Sequence, residues 1–206
     1  MPEGIREYCE NLSRRMWITR GARFNASRRL TKKHHWSLAS ISILSVYGIS
    51  IPIIQSLIDF SKCSEVNQVY SAIATVLSVF ILVISLLEGG KNFQLRADSL
   101  HINAVEISRL CRELEFLLSQ NISGESLVEK SKEISDEYEK LISDCPYNHE
   151  VRDFDLFKFQ NYKDFNVNVF ESYFRKNKIL LLDFWLYSLP IFVFPVVVFQ
   201  LYSYCQ

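Results

Sequence analysis

Cysteine is scarce and scattered: five residues in 206, at Cys9, Cys63, Cys111, Cys145 and Cys205. None forms a CxxC pair or has a histidine at ligand spacing, which argues against a disulfide framework and a zinc site. The phosphate-binding P-loop, the dinucleotide fingerprint and the HExxH helix are all missing. His34, His35, His101 and His149 have no Asp–Ser or Cys arrangement implied around them, so they read as packing or surface residues. The sequence thus offers no catalytic residue, no metal ligand set and no cofactor site, and an enzyme is not expected. The N-terminal stretch is basic and lacks the apolar core and cleavage site of a signal peptide.

Charge is missing where it matters most. Residues 36–58, 66–87 and 184–204 hold no Asp, Glu, Lys or Arg. A bilayer core about 30 Å thick needs roughly 20 helical residues to cross it, and each stretch is long enough. The formal net charge is zero, yet Arg6, Arg14, Arg15, Arg20, Arg23, Arg28, Arg29, Lys32 and Lys33 all precede the first apolar stretch. The loop that follows that stretch carries only Lys62 against two acids. The positive-inside bias therefore places the N-terminus in the cytosol, and the second span returns the chain there.

The expected fold is an all-α membrane protein: a transmembrane helical hairpin, extended by cytosolic helices, with a third C-terminal transmembrane helix. Residues 1–35 read as a basic amphipathic helix with Ile5, Tyr8, Leu12 and Met16 on one face. Residues 36–90 form the hairpin, with Gly89 and Gly90 as a hinge. Within 91–145, Leu100, Ile107 and Leu114 recur every seven residues, with Ala104, Cys111 and Leu118 four behind them. That is a narrow seam for another helix. A partner helix from about Glu125, with Leu127, Ile134, Tyr138 and Leu141 on one face, ends at Pro146. Residues 146–177 hold a loop and an aromatic-rich helix from Phe154. Residues 178–206 are the C-terminal hydrophobic helix, flanked by Arg175, Lys176 and Lys178 and interrupted by Pro190 and Pro195.

Two groups of residues are candidates for function. Ser71, Thr75, Ser78 and Ser85 lie on one stripe of the second span, which Gly89 extends. Small hydroxylated side chains in lipid mark either close helix packing or the lining of a polar path. In the basic arm, Arg23, Phe24, Arg28 and Arg29 interleave charge with an aromatic ring and fit three contacts: anionic lipid, a nucleoprotein, or the acidic 125–144 helix of another subunit.

Residues Arg23, Phe24, Asn25, Ala26, Ser27, Arg28, Arg29 and Leu30 stand just before a two-span hairpin. Leu87 with Glu88, Arg96 with Ala97, and Leu100 with His101 follow it, and then Tyr147, Asn148, His149, Glu150, Asp153 and Phe154. In this order the motifs resemble the SLATT family, two-transmembrane effectors associated with SMODS and SLOG proteins, over most of residues 14–155. The resemblance implies a membrane-disrupting, pore-forming toxic effector of bacterial anti-phage defence, working as a homo-oligomer in the cytoplasmic membrane. The subgroup it most resembles stands beside retron reverse transcriptases, which implies a reverse transcriptase–RNA/DNA complex as the restraining partner. A nucleotide-signalling partner that activates the effector is the alternative. A channel or anchor subunit without a toxic role is a further one.

Overall fold

The computed structural model describes residues 3–57, 64–120 and 124–179, and beyond them Leu181, Trp185, Tyr187, Ser188 and Val196. Five helices follow one another among these residues, with no strand: α1 (Glu3–Leu57), α2 (Ser64–Gly90), α3 (Phe93–Ser119), α4 (Gly124–Asp144) and α5 (Val151–Gln160). Residues 169–179 form a further helical stretch. The expected third span falls mostly outside the described residues. The chain divides into a polar unit, Met1–Thr31 with Phe93–Ile179, and a hairpin unit, Lys32–Asn92 with Leu180–Gln206.

In the polar unit the first half of α1 packs with α3 and α4. Cys9, Leu12 and Met16 meet Ile107, Leu110, Cys111, Leu114 and Leu117 of α3 and Leu127, Ile134 and Tyr138 of α4. The seven-residue seam of α3 is thus the buried one, as its spacing predicts. On α1 the face is turned slightly from the expected one. Cys9 is fully buried, whereas Tyr8 is exposed and donates its hydroxyl to Ser135 Oγ at 3.0 Å. Burial pushes the Cys9 and Cys111 thiols above their ordinary range, which suits inert packing residues.

The aromatic stretch after Pro146 is two helices rather than one. Asn161 Nδ2 donates to the Phe157 carbonyl at 2.8 Å where α5 ends, and Asn166 takes a left-handed backbone with φ 51°. Asn168 Oδ1 then accepts the Phe170 N–H at 3.0 Å where the next helix begins. Asparagine suits all three tasks because its short amide competes with helix hydrogen bonding and tolerates the left-handed region. Trp17, Phe154, Phe157 and Phe165 form one aromatic cluster, with Trp17 and Phe157 edge to face at 4.7 Å. Gly21 makes room for it: a Cβ there would lie 2.0 Å from the Phe157 ring. The glycine is a packing requirement.

In the hairpin unit the second half of α1 packs on α2 through Leu44, Ile51, Tyr70, Ala74 and Leu77, with Tyr47, Ile73 and Ile81 beside them. Most of the remaining apolar side chains face outward: Ile49, Ile53, Val76, Val79, Leu82 and Leu86 are all more than half exposed. A soluble core helix would hide such residues. Here the most apolar parts of both helices are mostly exposed on the protein surface. Lipid is the solvent that accepts this surface, and the protein is an all-α membrane protein with a helical hairpin. Gly89 and Gly90, the expected hinge, remain helical; the helix breaks at Lys91 and Asn92, the latter with φ 47°.

Candidate functional site

In the polar unit, three of the motif segments fold onto one another. Arg23 is only 2% exposed, and its guanidinium donates to Asn103 Oδ1 on α3. Asn103 in turn donates through Nδ2 to the Leu141 carbonyl at 2.6 Å. Two turns of α1 further on, Arg29 grips Asp153 with both arms of its fork, Nε to Oδ1 at 2.7 Å and NH2 to Oδ2 at 2.8 Å. Glu150 Oε1 lies 3.0 Å from the same NH2. Asn25, between the two arginines, donates to Gln160 Oε1 at 2.9 Å. The middle motif completes the junction, with Ala97 and Leu100 packed on Ala26 and Leu30, His101 against the Phe24 ring, and Arg96 over Tyr147.

Local chemistry prepares the acidic side of this junction. Asp153 stands three residues into the start of α5 and accepts the Glu150 backbone N–H through Oδ2 at 2.9 Å. A carboxylate there also meets the positive end of the helix dipole. Asp153 is 0% exposed, so its carboxyl is met by protein groups and not by water. Burial alone would raise the Glu150 carboxyl, but Arg29 and Arg152 outweigh it and hold the group below its ordinary value of 4.5. For His149, burial lowers the imidazole below 6.5, the charge of Arg23 adds to this, and Asp153 opposes it.

The arm therefore uses most of its expected contact charge internally. Arg23 and Arg29 are buried and Phe24 is half-buried, while Arg28 is exposed. Among the described residues, the acids that pair with Arg29 of the arm are Glu150 and Asp153. One sequence signal marks this burial. Arg23 continues the alternating steps of three and four that run through the buried Cys9, Leu12 and Met16 and the half-buried Thr19 to the buried Ala26 and Leu30.

In the hairpin unit the apolar α1–α2 contact is made by Tyr70, Ala74, Leu77 and Ile81. The stripe lies one position later along each turn and meets α1 through Ser71, at the side chain of Gln55. Ser71, Thr75 and Ser78 are exposed and Ser85 is half-buried. Three of the hydroxyls are bonded within the chain: Thr75 donates to the Ser71 carbonyl at 2.9 Å and Ser78 to the Ala74 carbonyl at 2.8 Å. Ser71 Oγ accepts from Gln55 Nε2 at 2.7 Å, beside the bond from Gln55 to Asn67 Oδ1 at 2.6 Å. A hydroxyl bonded to its own helix can face lipid or another helix without an unmet polar group.

A cavity of about 270 Å³ lies in the same unit, bounded by Ser37, Ser40, Leu44, Ile84, Glu88 and Tyr187. Glu88 has a side chain only 12% exposed, pairs with Lys91 and accepts from the Tyr187 hydroxyl at 3.3 Å. Among the described residues no group of three His, Cys, Asp or Glu side chains is placed to hold a metal ion.

Comparison with curated proteins and with solved structures finds no match to the chain. Residues 5–201 match a family of membrane effectors, so the match takes in the hairpin, the buried junction and most of the C-terminal apolar stretch. Since the match spans nearly all of the sequence, the chain belongs to SMODS and SLOG-associating 2TM effector domain family 5.

Proposed function

We propose that this two-transmembrane effector of defence systems breaches the cytoplasmic membrane as a homo-oligomer and is held silent by a cytosolic partner. One observation carries the reading. The hairpin closes on an apolar seam and leaves Ser71, Thr75 and Ser78 as an exposed small, hydroxylated face. Between membrane helices, small residues favour association because they let backbones approach. A second copy could pack closely on that face, and the hydroxyls could then line a polar path without the cost of a charge.

The N-terminus lies in the cytosol on this reading, because the arm is far more basic than the loop between the spans. A membrane-impermeant thiol reagent should then label Cys63 in intact spheroplasts. The restraining partner, by resemblance, is a reverse transcriptase with its RNA–DNA product. Its contact on the arm falls to Arg28 and the exposed edge of Phe24, because Arg23 and Arg29 are committed to Asn103 and Asp153. A partner that prefers the closed arrangement by about 5.5 kcal/mol would shift nearly all copies from open to closed.

The test is membrane potential in cells making the protein alone or with its genetic neighbours. The protein alone should depolarise the host, Ser78→Leu should abolish this, and Val79→Leu should not. Equal activity of the two variants would remove the stripe. A wild-type chain harmless on its own would replace restraint with activation by a nucleotide messenger, or leave a channel or anchor without a toxic role.

A further inference from the structure

The helical stretch 169–179 has an outer face that none of the above uses. Val169, Phe170, Tyr173 and Phe174 are 56%, 79%, 68% and 75% exposed. At about 100° per residue these four fall within one side of the helix. The other side is accounted for within the polar unit: Ser172 is buried, and Arg175 pairs with Glu171 at 2.8 Å and lies over the Phe159 ring. Lys176 and Lys178 flank the aromatic face, one on each edge. The segment carries one acid, Glu171, against Arg175, Lys176 and Lys178. It leads within a few residues into the charge-free stretch 184–204.

We propose that 169–179 is an interfacial helix that docks on the anionic inner surface of the bilayer. Three observations favour lipid over a protein partner. The exposed side chains are mainly Phe and Tyr, which suit the boundary between headgroups and acyl chains. The basic residues border the apolar face rather than interrupting it, so their stems can run along it while their ammonium groups reach lipid phosphate. The helix is also tied in sequence to a stretch apolar enough to be membrane-bound. The proposal rests on the hairpin's residence in the membrane and adds a second, peripheral contact to it. Anionic lipid would bias the placement of the C-terminal part of the polar unit, and lipid composition would become an input to the effector.

The test uses the full chain in vesicles of phosphatidylcholine with or without phosphatidylglycerol. Tryptophan is introduced as Phe174→Trp or, for comparison on α3, as Phe116→Trp, and fluorescence is read against the parent protein. In anionic vesicles, lipids brominated near the headgroup end of the chain should quench the residue-174 signal and not the residue-116 signal. Lys176→Glu with Lys178→Glu should reduce the docked-to-free ratio on the order of fivefold per lysine at low salt. Flotation in the same preparations reports insertion of the hairpin separately. A chain that floats while residue 174 is quenched by aqueous acrylamide and not by bromolipid overturns this proposal alone. Protection from both quenchers means that protein covers the face, and overturns it equally. Docking that is the same in neutral and anionic vesicles overturns the headgroup contact, and a chain that does not float overturns the membrane reading as well.

Discussion

Helix α1 serves two solvents, and its two halves obey opposite rules. In the polar unit it buries Arg23, Asn25 and Arg29 and leaves Arg14, Arg15 and Arg28 in water. In the hairpin unit it buries Leu44 and Ile51 and leaves Ile49 and Ile53 facing outward. A buried guanidinium is tolerable only where partners are already fixed, as the α5 N-terminus fixes Asp153. An outward isoleucine is harmless only where the surroundings are hydrocarbon. The difference places fixed polar pairs such as Arg29 with Asp153 in the polar unit, and adaptability in the hairpin unit, where one apolar contact can replace another.

Breaking the buried pair should have the largest effect. Arg29→Ala leaves the Asp153 carboxylate with no bidentate partner, and loss of one member of such a pair costs about 3–5 kcal/mol. Hydrogen exchange should show the α5 amides opening first, with the hairpin amides unchanged. Replacing both residues by apolar ones, Arg29→Met with Asp153→Leu, should recover much of the loss. If the double variant is worse than the single one, the pair has a role beyond satisfying itself.

Next comes the aromatic cluster. Gly21→Val sets methyl groups against Phe157 and should cost about 1–3 kcal/mol by overpacking. Gly4→Ala, where a Cβ meets nothing within 4 Å, should be neutral or gain up to about 1 kcal/mol. Thermal melting of the two variants in parallel separates packing from helix propensity.

The smallest effect is titration. His149 has a folded-state value below its unfolded 6.5, so the unfolded chain binds the extra proton more readily. Stability should therefore be fully present above pH 6.5 and decline as the pH falls from there toward the lower folded value. Glu150, also lowered, adds a second decline below 4.5. His149→Gln should flatten the first limb of the melting profile and leave the second. An unchanged profile would show that His149 does not titrate in this window.

The hairpin and the α3 seam were legible because each is a local regularity: an uncharged run, or a repeat of seven residues. The fate of the arm was not. A basic stretch before a span reads as a topology signal, and nothing in a helical period discloses that Arg29 will meet a carboxylate 124 residues later. Burial of Arg23 was partly readable from its register with Leu12 and Met16. The break in the aromatic helix was carried by Asn161, Asn166 and Asn168, whose amides outcompete helix bonds that the aromatic pattern alone would extend. Family motifs could be recognised as a set, but only the fold shows that three of them form one junction.

Disulfide trapping between copies, in membranes, tests the central claim most directly. Single cysteines are placed at Ser71, Thr75 and Ser78, and at Val76 and Val83 on the other exposed side of α2, in a background with the native cysteines replaced. The account predicts linked dimers from the three stripe positions and few from the two valines. Equal trapping on both sides, or trapping at Val76 and Val83 alone, would contradict it.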